Sequence, residues 1–174
     1  MGMQLSEALA VLDRTPRVLR TFLEGLPEEW TDAREAPETF SPRDVVAHLV
    51  HGEEEDWMPR VRLLLEHGTA RTFPAFDPNG FRERAGGRAL SELLDRFEEL
   101  RGDNLLALRA LRLGADALAR EGRHPEFGEV TLAQHLSTWV VHDLAHLGQI
   151  SRVMAKRWKD EVGPWRAYLR VLDR

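Results

Sequence analysis

The chain has no cysteine, which removes disulfide bonds, thiolate metal ligands and a cysteine nucleophile from consideration. The absence also suits a reducing compartment, so a cytoplasmic setting is expected. Isoleucine occurs once while Leu, Ala, Glu and Arg are abundant, a balance that favours helix over sheet. No apolar run approaches the roughly 18 residues of a membrane span. The opening MGMQLSEALA lacks the basic stretch and apolar block of a signal peptide. There is no basic stripe: the formal net charge is −5, and the basic residues, nearly all arginine, are interspersed with acids. That distribution argues against nucleic acid as a partner. There are no internal repeats or low-complexity tracts, so a single domain over 1–174 is expected.

Four long segments carry apolar residues at helical spacing. The first, about 4–25, includes Leu5, Leu9, Leu12, Leu19, Phe22 and Leu23. Pro16 interrupts it, either as the first residue of a new helix capped by Thr15 or as a kink. The second begins at Ser41-Pro42-Arg43-Asp44, which reads as cap, first-position proline and first-turn acid. It runs to about Glu66, with a break or kink at Pro59. The third spans roughly Arg88–Leu113, with Ser91 as a plausible cap, and the fourth runs from Thr131 to about Trp158. Long connections at 68–88 and 114–130 separate them, and the tail after Pro164 adds a short helix. The architecture expected is all-α: an up-and-down four-helix bundle with long connections and a short C-terminal helix.

His142 and His146, in VVHDLAHLGQI, lie one helical turn apart. Residues at that spacing share a helix face, so two imidazoles can bind one ion if a third ligand arrives from another helix. His48, within DVVAHLVHGEEEDW, is the first candidate for that ligand, His51 the second and His135 the third. Val45 and Leu49 flank His48 on the apolar side, whereas His51 leads into an acidic run. Three protein ligands leave coordination positions open, as catalytic metal sites do. HDLAH also approaches the zincin pattern H-E-x-x-H, but Asp143 is one methylene short, and Gln149 and Arg152 stand where the extended pattern needs Gly and His.

Glu55, seven residues beyond His48, and Asp143, between the paired histidines, are the candidate acid–base or imidazole-orienting groups. Trp139, three residues before His142, is the tryptophan best placed to line a pocket beside a metal. The Phe73–Phe81 connection could cover the pocket mouth, and Arg101 and Arg109 could meet an anionic substrate group.

Taken together, TPRVL, FSPRDVVAHLVHGEEEDW, HPEFGEVTLAQHL and WVVHDLAHLGQI, in that order and helix context, resemble the DinB-like (DinB/YfiT) superfamily of proposed metalloenzymes. The resemblance implies an all-α bundle with three metal-binding histidines, one from the second helix and two from the fourth: here His48, His142 and His146. It also implies thiol-dependent chemistry among relatives, such as transfer of a low-molecular-weight thiol to an electrophile. The function expected is therefore a metal-dependent enzyme, with zinc or nickel activating a thiol or water against a small electrophilic substrate, thiol transfer being the first reaction class and hydrolysis the second. The alternative is a non-catalytic metal- or small-ligand-binding stress protein. A homodimer is expected from the apolar tail residues Trp165, Tyr168 and Leu169.

Overall fold

Each long periodic segment forms helix, and two of them divide where the backbone chemistry requires it. The computed structural model describes residues 2–85 and 87–173. The first segment becomes α1 (Leu5–Leu12) and α2 (Thr15–Leu23). Pro16 sits in the first turn of α2, where its missing N–H leaves no helical bond unmade. A single turn, α3 (Glu28–Thr31), follows. The second segment becomes α4 (Pro42–Glu55) and α5 (Trp57–His67), broken at Asp56. The break lies three residues ahead of Pro59, because a proline ring collides with the preceding turn rather than with its own position. Ser41 and Asp44 close a reciprocal capping box at the start of α4 (3.0 and 3.1 Å). Gly68 ends α5 at φ 57°, a conformation that disfavours a side chain.

The connection that follows carries α6 (Phe81–Ala85) and leads to α7 (Leu90–Ala110). Ser91, the expected cap, lies inside α7; instead the Glu92 carboxylate accepts the Ala89 N–H at 2.9 Å. After α8 (Ala115–Leu118) the expected connection carries a hairpin, β1 (Glu121–His124) paired antiparallel with β2 (Gly128–Thr131). It packs on α5 so closely that Gly122 lies against the Phe73 ring, with no room for a side chain. Thr131 then caps α9 (Leu132–Lys156), reciprocally with Gln134. Beyond α9 the tail forms 3-10 turns (Gly163–Tyr168 and Arg170–Leu172) rather than the short α-helix expected, and Trp165 and Tyr168 on it are exposed.

The result is a four-helix bundle whose connectivity differs from simple alternation. Writing α1–α2 and α4–α5 as the first two long helices, each packs on both α7 and α9. Asp13 meets Arg109 while Arg20 meets Asp95, so the first helix runs against α7. Glu54 meets Arg96 and Glu53 meets Asn104, while Arg43 and Ala47 share a groove with Arg88 and Leu93, so α4 runs with α7. His48 meets His142 and His135 meets Trp57, so α4–α5 runs against α9. The directions are thus down, up, up, down. The connection between α5 and α7 makes this possible, because at about 3.3 Å per extended residue it can carry the chain back along the full bundle. Among the described residues, no helix is long and apolar enough to cross a membrane.

Candidate metal centre

α4 and α9 cross where each carries histidine. His48 is buried, and His142 and His146 are half-buried. The Nε2 atom of His142 lies 3.2 Å from Nε2 of His48 and 3.0 Å from Nε2 of His146. One ring nitrogen from each of the three lies within 4.8 Å of the others. A tetrahedral ion with bonds of about 2.0–2.1 Å separates its ligand nitrogens by about 3.3 Å, so the spacing suits a small divalent cation.

The opposite ring edges fix the tautomers of His48 and His146, whereas His142 Nδ1 is buried without a partner among the described residues. His48 Nδ1 donates to the Pro78 carbonyl at 3.0 Å, and His146 Nδ1 donates to Gln149 Oε1 at 2.8 Å. A neutral ring whose Nδ1 holds the hydrogen presents a bare Nε2 lone pair, and here two such lone pairs point toward a third imidazole nitrogen. Burial, reinforced by the neighbouring imidazoles, lowers His48 to about 4 and His142 to about 3; burial also lowers His146. All three are neutral near pH 7, the form that binds metal. The three-imidazole donor set fits a divalent transition-metal ion.

The Phe73–Phe81 connection builds one side of the site. Besides Pro78, it supplies Phe76 and Phe81 against the His48 ring, at 5.9 and 6.1 Å between centroids. Phe73 and Phe76 also line a cavity of about 260 Å³ that reaches His142.

The other two histidines weighed as ligands are engaged elsewhere. His51 donates from Nε2 to the Asp77 carbonyl at 3.1 Å and stacks on Phe76, and the chain passes so close that only Gly80 fits beside its ring. His135 donates to the Trp57 carbonyl at 3.1 Å, two turns from the cluster.

Asp143 is displaced from its expected role. It has no exposed surface, and both its oxygens accept from Arg101, at 2.7 and 3.1 Å. It is a structural ion-pair partner, both of its oxygens engaged by Arg101. Glu55, at the last position of α4, is exposed and does not line the cavity. The acid that matters in this run is Glu53, buried and accepting from Arg101 Nε and Nη2, Asn104 Nδ2 and Trp139 Nε1 at 2.7–3.1 Å. Burial pushes its carboxyl up and Arg101 opposes that; the groups facing it are all donors, as a carboxylate requires.

Arg101 therefore clamps α4 to α9 through one carboxylate on each, and its Nη1 also donates to the Leu12 carbonyl at 2.8 Å. It is buried and does not line the cavity, and Arg109 is an exposed partner of Asp13. Trp139 lies behind the site with no exposed surface; Trp57, stacked on it at 5.6 Å, is the tryptophan that meets His142, at 5.1 Å between centroids. Glu53 had a legible signal, since Val46, Val50, Glu53 and Trp57 continue one helical stripe.

The chain is similar in structure to YfiT from Bacillus subtilis, described as a probable metal-dependent hydrolase with an unusual four-helix bundle topology. The two share 22% identity and a TM-score of 0.76 over 87% of this chain and 86% of YfiT. No curated protein matches the sequence. The family model of the DinB superfamily matches residues 11–150, most of the chain and every residue of the cluster. With that match added to the helical bundle and the converging histidines, this chain belongs to the DinB superfamily.

Proposed function

We propose that this protein is a metal-dependent enzyme in which His48, His142 and His146 hold a zinc or nickel ion. The observation that carries the reading is the convergence of three neutral imidazole nitrogens beside a cavity, with no fourth protein ligand among the described residues. A divalent ion held by these residues would lower the pKa of a coordinated water toward about 7, or would hold a thiol as its thiolate. The protein's own groups hold the rings in the ligating tautomer: Pro78 O for His48 and Gln149 for His146. Trp57, Phe73 and Phe76 exclude bulk water from one side and offer apolar surface to a substrate.

Hydrolysis of a small electrophilic substrate is the first reaction class, in keeping with the description of YfiT. Transfer of a low-molecular-weight thiol is the second. The chain has no cysteine, so such a thiol belongs to a cosubstrate. The test is metal analysis and anomalous scattering on protein purified without chelator or nickel resin, followed by hydrolase panels with and without added thiols. Turnover that is lost in a folded His146→Ala variant is the expected result. Full metal occupancy without turnover in either panel overturns the enzyme reading in favour of a metal-binding protein.

A further inference from the structure

The cavity beside the cluster has a second polar end. We propose that Arg60 and His124 form a carboxylate subsite there, selecting a small planar apolar acid whose other end reaches the three histidines. This rests on reading the histidine cluster as the catalytic centre.

The cavity is walled by Trp57, Phe73, Phe76 and Phe127, and His142 borders it. Its volume of about 260 Å³ exceeds the roughly 150 Å³ that admits benzene, so a single ring with a short acid arm fits. Arg60, only 8% exposed, is partly committed: Nε pairs with Asp56 at 2.6 Å and Nη2 donates to the Pro74 carbonyl at 3.1 Å. Nη1 has no partner among the described residues. The guanidinium stands 5.5 Å from the centre of the Phe73 ring. His124 lies edge-on to the same ring at 6.4 Å between centroids.

The tautomer of His124 is fixed by its own turn. Its Nδ1 accepts the backbone N–H of Glu126 and of Phe127, each at 3.2 Å. The ring hydrogen therefore sits on Nε2, which has no partner among the described residues. Both Arg60 and His124 border this cavity and the adjoining depression at Pro78 and Pro125. With Trp57 Nε1, buried and without a partner among the described residues, the site thus offers three uncommitted donors. Of the carboxylates nearby, Asp56 is ion-paired to Arg60 without a hydrogen bond to its Oδ1, and Glu126 borders only the adjoining depression. A ligand that completes it brings acceptor oxygens, and a carboxylate brings two. Because Asp56 offsets the charge of Arg60, selection rests on paired hydrogen bonds more than on net charge.

Isothermal titration calorimetry with benzoate, phenylacetate and benzamide, on metal-free and zinc-loaded protein, tests this. The acids are expected to bind about tenfold more tightly than the amide, with or without zinc. His124 stacks on Phe127 at 4.6 Å between ring centroids, a contact His124→Phe keeps, and a combined Arg60→Gln, Asp56→Asn variant removes the cation without stranding its partner. Each is expected to weaken acid binding about tenfold and leave the amide unchanged. Equal binding of acid and amide overturns the proposal, as does unaltered acid affinity in His124→Phe. Acid binding only in zinc-loaded protein also overturns it, by assigning the carboxylate to the ion. His124 lies on the hairpin outside the core, so its variant decides the matter should the double variant not fold. A protein that binds no metal sinks the catalytic-centre reading and leaves the metal-free arm intact.

Discussion

Replacing Arg101 with methionine should cost about 3–5 kcal/mol, because it strands two buried carboxylates rather than breaking a surface pair. Glu53 and Asp143 have side chains with no exposed surface, and Arg101 is 1% exposed, so water cannot stand in for the guanidinium. For a chain of this size that loss lowers the melting temperature by about 6–20 °C. Urea denaturation of metal-free protein at pH 7 measures it. The loss should shrink as pH falls: burial already raises the Glu53 carboxyl, and without Arg101 to oppose that its folded-state pKa climbs further above the unfolded value. Stability is then present below about pH 4 and is lost as pH rises through the raised pKa. Adding Glu53→Gln and Asp143→Asn removes the stranded charges and should recover most of the loss. The second readout is metal affinity, since the same guanidinium ties α4, bearing His48, to α9, bearing His142 and His146. An Arg101→Met protein within about 1 kcal/mol of wild type, with unchanged metal affinity, refutes the clamp; the expected cost is at least about 3 kcal/mol.

Other outcomes follow from single groups. His135, lowered to about 4 chiefly by burial, stays neutral in the folded protein while its unfolded counterpart takes up a proton near 6.5. Its contribution is therefore present above about pH 6.5 and lost as pH falls toward 4, by about 3 kcal/mol; an His135→Gln variant should flatten acid denaturation curves of metal-free protein over that window. Gln149→Leu removes the acceptor that orients His146 and should weaken metal binding about 10–100-fold, read by competition with a chromophoric chelator, with little change in melting temperature. Ser41→Ala opens the capping box of α4 and should cost about 1 kcal/mol in denaturant titration without altering metal stoichiometry.

The helices were legible because their apolar faces repeat at 3.6 residues and their caps use side chains with defined chemistry. Thr131 and Ser41 start α9 and α4 where a cap reading puts them. The break at Asp56 was harder to place, since Pro59 advertises a disruption but the steric conflict falls on the turn before it. The hairpin of 121–131 was invisible for a different reason. Its strands are four residues long, with little alternation, and β1 is held by packing of Gly122 on Phe73 and Leu64, a tertiary contact that no local pattern encodes. Chain direction was equally hidden: periodicity marks which face of a helix is buried but says nothing about which neighbour covers it.

At the site, the pair on α9 was legible as geometry, because an i, i+4 relation is a property of any helix. Choosing among His48, His51 and His135 required knowing how α4 is rotated against α9. That rotation is fixed by groups beneath the site: one register brings Glu53 and Asp143 together on Arg101, and the same register brings His48 onto His142. A rotation that offered His51 instead would carry Glu53 away from the guanidinium and leave a charge buried alone. Three residues on, position 51 is turned out of the shared face, to where the Asp77 carbonyl takes its N–H. The acids singled out beside the histidines therefore divide by depth. Glu55 ends α4 in solvent, while Glu53 and Asp143 hold two helices in register, so the site's remaining polar chemistry comes from Arg60 on α5, Gln149 on α9, and a connection and a hairpin.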